Sequence, residues 1–259
     1  MINISSIIIA KNEERNIGRC LDSQKNCIDE IVVLIDKDSS DGTLEIVKSF
    51  PGVKVEISEW KGYGRTKQLG LSLTSNDWIF WIDADEAITP LLGEELNKFK
   101  KSEPPYAAYS VPRKAYFLGK WIKHCGWYPG RVVRLFDKNK VGFSDKSVHE
   151  RLVVGGPTGK LIGDLDHYTD PTIRHYFDKF NNYTSLAAEE LFNEGKNISL
   201  NDILLRPFFL FFKMYFLKRG FMDGFQGFVL SVFSSSYVFT KYCKLWELKK
   251  SGRTGENGK

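Results

Sequence analysis

Four short apolar runs, each followed by a polar loop and a helical pattern, constrain this chain more than any other feature. They are "ISSIIIA" (residues 4–10), "EIVVLI" (30–35), "VKVEI" (53–57) and "WIFWI" (78–82), all rich in β-branched or aromatic residues. Runs this short and this apolar suit strands buried in a parallel sheet. Between them, "EERNIGRCLDS" carries Ile17, Cys20 and Leu21 at helical spacing, with Asn12 placed to cap it. Leu44, Val47 and Lys48 lead a second helix, and "YGRTKQLGLSL" supports a third. A strand-then-helix series with short connections predicts an α/β fold, a mostly parallel open sheet with helices on both faces. Ligands of such sheets sit beyond the carboxyl ends of the strands. The loops after Ala10, Ile35 and Ile82 would open on that edge.

The 259 residues suffice for one such domain with an appendage. Pro104-Pro105 marks a break, after which "AAYSVPR", "RVVRLF" and "KLIGDL" are strand-like and continue the same domain. "TIRHYFDKFNNYTSLAAEELFNEG" is a helix that Gly195 ends. The expected division is a main domain over 1–196, a helical segment over 197–250 and a disordered tail over 251–259. From Asn201 onward ten Lys or Arg face four Asp or Glu, and ten of the nineteen Phe lie there. A basic, Phe-rich segment predicts an anionic membrane surface as partner. No base-reading motif accompanies the cations, so nucleic acid is not expected. Gly224 to Thr240 is seventeen residues without a charge, but Gln226 and Ser234 to Ser236 dilute it. Amphipathic helices lying on a membrane fit better than a spanning hairpin. The competing expectation packs these aromatics on the main domain or on a second subunit, making a homo-oligomer. The N-terminus has no basic region before "SIIIA", so the expected location is cytoplasmic, peripheral on the inner face of the cell membrane. Cys20, Cys27, Cys125 and Cys243 form no CxxC pair, which argues against zinc.

In "NDWIFWIDADEAITP" (76–90) the fourth run delivers Asp83, Asp85 and Glu86 to one point. A divalent cation would relieve their repulsion, and oxygen ligands suit Mg²⁺ or Mn²⁺. Asp83 and Asp85 alternate along an extended chain, so both can face one side. Mg²⁺ completes its shell with phosphate oxygens, which implies a phosphorylated ligand. The competing role for Asp85 or Glu86 is to open the next helix, where acids are favoured. Asp36, directly after the second run, could accept a hydrogen bond from an imide N–H or a ribose hydroxyl. Ser39, Asp41 and Gly42 suit a turn and a helix cap.

In order and spacing, "SIIIAKNEERNIGRCLDS", "DEIVVLIDKDSSDGT" and "GYGRTKQLGLSLTSNDWIFWIDADE" resemble the GT-A domain of family 2 glycosyltransferases. The later "WYPGRVVRLFD", "VHERL", "LDHYTD" and "LKRGFMDGFQGF" are similar to the branch that includes bacterial lipopolysaccharide-core β-glucosyltransferases. The resemblance runs to about Leu248. It implies that Ala10, Asn12 and Glu13 line the nucleotide pocket and that Asp36 contacts the base, usually uracil. Many relatives have a second acid next, where this chain has Lys37. Lys67 falls where relatives place a helix residue near the nucleotide, and most have Asn at the next position, here Gln68. Asp83 would face ribose and metal, and Asp85 would bind the metal that bridges the phosphates. His167 is a further metal or diphosphate ligand or a buried structural histidine, since imidazole suits Mn²⁺.

The activity so implied is an inverting, metal-dependent transfer of a hexose, glucose above all, from a UDP-sugar to a lipid-linked glycan acceptor such as lipopolysaccharide core. Glu150 matches the position of an acid after His in this branch and is the candidate base, with Asp145 in reserve and His149 beside it. A surface pairing of Glu150 with Arg151 is the alternative. Arg131 and Arg134 lie three apart in a strand-like run, so at most one, taken as Arg134, reaches the diphosphate. Trp127 and Tyr128 could form a sugar platform, but a core plug is the better expectation. Two other classes compete. A sugar-phosphate nucleotidyltransferase should show a Gly-rich phosphate loop near the first strand, and "SIIIAKNEE" has none. A non-catalytic sugar-nucleotide or lipid-surface binding module would not need the paired acids or Glu150.

Overall fold

In the computed structural model, which describes residues 1–60, 62–143 and 152–256, strands and helices alternate through the first hundred residues. The order is β1 (Ile4–Ala10), α1 (Ile17–Asp22), β2 (Glu30–Asp36), α2 (Thr43–Lys48), β3 (Lys54–Ser58), α3 (Tyr63–Ser72), β4 (Trp78–Trp81), β5 (Glu86–Ile88) and α4 (Pro90–Phe99). Short strands follow: β6 (Ala108–Val111), β7 (Arg113–Phe117), β8 (Lys120–Trp121), β9 (Val132–Asp137), β10 (Val141–Phe143), β11 (Leu152–Val154), β12 (Gly159–Lys160) and β13 (Leu165–Asp170). The chain closes with helices α5 (Ile173–Asn193), α6 (Leu200–Ile203), α7 (Leu205–Phe212) and α8 (Gly224–Glu256).

Two compact units divide these elements: residues 1–114 with 130–168, and residues 115–129 with 169–259. The division differs from the expected boundary at 196, because "FLGKWIKHCGWYP" and α5 belong with the C-terminal helices. The helical segment also runs on to Glu256, past the expected start of a disordered tail at 251.

The first unit is built on a seven-stranded sheet in the order β12-β6-β9-β4-β1-β2-β3. All pairings are parallel except those of β9 with β4 and with β6. The expected mostly parallel sheet is therefore present, with one reversed strand. Its central strands β1, β2 and β4 are apolar on both faces because both are covered. Ile4, Ile8, Val33, Ile35, Phe80 and Ile82 point to one face and meet Ile17, Leu21, Val47, Leu92 and Leu96 of α1, α2 and α4. Ile7, Leu34, Ile79 and Trp81 point to the other, where Leu69 and Leu71 of α3 pack. The two-residue period of the strands thus feeds two cores. Gly70 brings α3 close: a Cβ there would lie 2.7 Å from Ile7 Cγ2 and 2.9 Å from Leu34 Cδ1.

The second unit is mainly helical. Phe117, Ile122, Cys125, Met214, Val229 and Leu230 form one cluster, and Ala188, Tyr242 and Leu245 another. Lys244 on α8 donates to the Asn181 carbonyl at 2.9 Å and to Thr184 Oγ1 at 2.9 Å, fastening α8 to α5. Buried Asp223 accepts from the backbone amide of His124 at 2.8 Å and pairs with His124 Nδ1 at 2.9 Å. A Cβ on Gly227 would fall 2.0 Å from the Gly220 carbonyl oxygen, which explains the last glycine of "RGFMDGFQG". Trp127 packs against the first of these clusters, its ring edge-on to Phe117, as a core plug would.

Candidate active site

The strand order reverses between β1 and β4, since β2 and β3 continue to one side of β1 and β4 lies on the other. Ligands of open α/β sheets bind at such a reversal, beyond the carboxyl ends of the strands. The sequence-predicted residues Ala10, Asn12, Glu13, Asp36, Asp83 and Asp85 all lie at or just past those ends.

At the end of β2, Asp36 is buried. The β1–β2 register sets Ala10 against Ile35, so the next residues, Lys11 and Asp36, meet as an ion pair at 3.0 Å. Asp38 N–H donates to the second carboxylate oxygen at 2.9 Å. That amide bond, together with Lys11, holds the carboxyl below its usual range against the cost of burial. Lys11 was not anticipated; its only signal was its place one residue beyond a strand that neighbours Asp36.

Asn12 does not cap a helix, contrary to the expectation. Its backbone is left-handed at φ 55°, and α1 starts only at Ile17. Its Oδ1 accepts instead from Ser40 N–H at 2.8 Å, while its own N–H donates to Ser39 Oγ at 3.0 Å. Glu13 N–H donates to Thr43 Oγ1 at 2.8 Å, and Glu14 N–H to Asp41 Oδ2 at 3.0 Å. Ser39, Asp41 and Thr43 therefore lace the loop after β2 to the loop after β1. The structural role expected for Ser39 and Asp41 holds, and Asn12 and Glu13 are fixed through these bonds.

Past β4 the acids separate into two sets. Arg134 of β9 is buried and uses one nitrogen, Nη2, to donate to Asp83 Oδ2 at 2.5 Å and to Glu86 Oε1 at 2.6 Å. Glu86 is also buried and accepts from Asp83 N–H at 3.0 Å through its other oxygen. The cation among Asp83 and Glu86 is thus a guanidinium, and Glu86 does not open a helix. It starts β5, while α4 begins at Pro90 under a Thr89 cap. Burial pushes the Glu86 carboxyl up. Burial also opposes ionisation of Asp83, but Arg134 outweighs it and holds that carboxyl below the usual range. Though crowded by neighbours, the Asp83 side chain keeps 48% of its surface open, and Arg134 engages only one of its oxygens. The Arg134 guanidinium is therefore placed as a structural clamp on the acids, and its expected contact with a diphosphate would have to be made in addition. Arg131 lies outside this group and donates to the Ser110 and Leu161 carbonyls.

Asp85 forms the second set with His167. The antiparallel pairing of β5 and β13 puts His167 opposite Glu86, and its Nε2 lies 3.4 Å from Asp85 Oδ2. No three His, Cys, Asp or Glu side chains converge as a metal cage among the described residues. Of the expected trio of Asp83, Asp85 and His167, Asp83 has one oxygen on Arg134, while Asp85 and His167 face each other. The remaining pair still fits an ion. Two ligands at right angles, each about 2.1 Å from one cation, are about 3 Å apart. Carboxylate oxygen suits Mg²⁺ or Mn²⁺, and imidazole nitrogen is a ligand of divalent transition metals. Beneath the acids, burial and then Glu86, Asp85 and Asp83 push the Cys20 thiol well up, so it stays neutral.

Lys67 of α3 sets its ammonium 3.9 Å from the centre of the Trp81 ring, on the face where Gly70 draws the helix in. Arg19 of α1 stacks its guanidinium 3.6 Å over the Tyr168 ring. Glu150, with Asp145 and His149, lies outside the described residues.

Residues 5–153 match the sequence profile of the family described as Glycosyl transferase family 2. An uncharacterized glycosyltransferase of Rickettsia typhi is 32% identical over 98% of this chain and 90% of its own length. The lipopolysaccharide core biosynthesis glycosyltransferase LpsC of Rhizobium meliloti is 28% identical over 94% of this chain and 92% of its own. Among solved structures, the mannosyltransferase PcManGT of Pyrobaculum calidifontis, in complex with GDP-Man and Mn²⁺, superposes with a TM-score of 0.52. It is 13% identical and covers 94% of this chain and 87% of its own, a likeness of fold. A mostly parallel sheet with one reversed strand, acids at its order reversal and homology over nearly the whole chain agree: the chain belongs to glycosyl transferase family 2, as a hexosyltransferase of the GT-A fold related to lipopolysaccharide-core enzymes.

Proposed function

We propose that this enzyme is an inverting, divalent-metal-dependent glycosyltransferase. It moves a hexose, glucose in the first instance, from a UDP-sugar to a hydroxyl of a lipopolysaccharide-core or other lipid-linked glycan. The observation that carries the reading is the Asp85–His167 pair at the reversal of the sheet, together with a buried, ionised Asp36 at the end of β2. Asp36 offers a charged acceptor for the imide N–H of a uracil, and the Asp38 amide with Lys11 keeps it ionised. Asp83 keeps an oxygen free of Arg134 to meet the ribose side of the donor. Asp85 and His167 would hold Mg²⁺ or Mn²⁺, which when bound neutralises charge on the departing diphosphate. The likeness to LpsC favours a lipopolysaccharide-core acceptor.

In the transfer, the acceptor oxygen forms its bond to the anomeric carbon as the bond from that carbon to the phosphate oxygen breaks. The electron pair leaves with UDP, and the acceptor proton passes to a carboxylate, for which Glu150 is the candidate. One displacement inverts the anomeric centre, so an α-linked donor yields a β-linkage.

Thermal melts of the purified protein test the donor site. UDP should raise the melting temperature only with Mn²⁺ or Mg²⁺ present, and Asp85→Asn should remove most of that metal-dependent shift. A shift of equal size in EDTA would refute metal-assisted binding. A screen of UDP-glucose, UDP-galactose and their N-acetyl forms, scored by UDP release, then identifies the sugar.

A further inference from the structure

The helix α7 turns its apolar stripe outward. Leu205, Phe208, Phe209 and Phe212 recur at helical spacing, and each is between 42% and 71% exposed. The residues on the opposite side, Pro207 and Leu210, face the protein, Pro207 buried and Leu210 against the Phe117 cluster. Apart from Arg206 the helix is therefore apolar all round, whereas a helix on a globular unit ordinarily turns a polar face outward. The pattern continues through the π-helical turn Lys213–Leu217 and the 3-10 turn Gly220–Asp223, where Phe216, Leu217, Phe221 and Met222 are exposed, and into α8 at Phe225. The rings are not scattered. Phe211, Phe212, Tyr215, Phe216, Phe221 and Phe228 touch in a connected set. Contiguous apolar surface of this kind marks an interaction site.

Charge decides what covers it. Lys213, Lys218 and Arg219 are exposed along the same stretch. The acids of that stretch, Asp202 and Asp223, are both buried: Asp202 pairs with Arg206 at 2.7 Å, and Asp223 holds His124. The outward charge is therefore all positive. A two-fold contact with a second copy would set these cations against one another. An anionic bilayer instead pairs them with headgroups while the rings enter the acyl boundary. Among the described residues no helix is long and apolar enough to cross a membrane.

We infer that residues 205–228 form a membrane-docking surface: α7 and the two turns after it lie in the headgroup layer of an anionic bilayer, with Phe208, Phe209 and Phe212 inserted and Lys213, Lys218 and Arg219 on the phosphates. The inference stands apart from the donor and metal assignments.

Flotation of the full-length protein with vesicles tests it. The protein should float with vesicles of phosphatidylglycerol in phosphatidylcholine, and at least about tenfold less with phosphatidylcholine alone. Phe208→Ser/Phe209→Ser/Phe212→Ser changes only exposed rings and should abolish flotation while the thermal melt is retained. Lys213→Gln with Arg219→Asn should erase the preference for the anionic vesicles; Asn tolerates the left-handed backbone that Arg219 adopts at φ 53°. Failure of the unaltered protein to float, or flotation unchanged by the three Phe substitutions, overturns the inference. So does light scattering that shows a dimer which those substitutions convert to monomer.

Discussion

Arg134 and Glu86 form a buried ion pair across two strands, Nη2 to Oε1 at 2.6 Å, with side chains 10% and 0% exposed. Removing one partner of such a pair strands the other charge. Arg134→Met should therefore lower unfolding stability by about 3–5 kcal/mol in urea titrations, since Arg113, 3.7 Å from Glu86, is a poorer substitute. Adding Glu86→Gln, which keeps an acceptor for the Asp83 amide, should restore part of that loss. A double variant no more stable than Arg134→Met would show that the pair is not the main term.

Glu30 gives the protein an acid-side dependence away from the site. It accepts from Lys54 Nζ at 2.5 Å, from Ser75 N–H at 2.8 Å and from Ser5 Oγ, joining three strands and a loop. Burial works against its charge, but these partners outweigh it and bring the pKa from 4.5 to about 2. The folded state thus binds its proton later than the unfolded state. Its contribution is complete above the unfolded value and is lost as pH falls through the window between them. Stability of the native protein should drop from pH 5 to pH 2 more steeply than that of Glu30→Gln. Parallel slopes would refute the assignment.

Gly70→Ala should push α3 off the sheet. The added methyl meets Ile7 and Leu34 side chains at 2.7 and 2.9 Å. Overpacking of that kind costs about 1–3 kcal/mol, against a gain of about 1 kcal/mol in helix propensity. The net effect in denaturant unfolding should be a loss of up to about 2 kcal/mol. Because Lys67 rides on the same helix, UDP affinity should fall as well.

Glu150→Gln should leave metal-dependent UDP binding intact in thermal melts. Transfer should fall by about 10²–10⁴-fold, the usual contribution of a positioned general base. Normal transfer by this variant would move the base to another residue.

Much of this architecture was legible in the chain itself. The first four strands begin and end within one residue of the sequence-derived bounds, because each is an apolar run closed by polar turn residues. Asp36 and Asp85 could be named for the same reason, as acids placed just past such runs. Asn12 was misjudged because a capping residue and a loop-bridging residue look alike locally: its partners, Ser39 and Ser40, are on another loop. The division near residue 115 was hidden because "FLGKWIKHCGWYP" packs with helices that follow it in sequence by more than forty residues.

By itself the sequence determined the sheet, the edge where its acids gather and an aromatic, cationic segment near the C-terminus. Each follows from local period and composition, which short-range sterics and the hydrophobic effect translate directly into strand or helix. Only the tertiary structure decided which cation each acid meets. β9 enters the sheet reversed beside β4, with Leu135 opposite Phe80, and so carries Arg134 to Asp83 and Glu86 rather than to solvent. The outward stripe of α7 was likewise decided by tertiary packing, since a local pattern specifies that a helix has an apolar face but not which neighbour, if any, covers it.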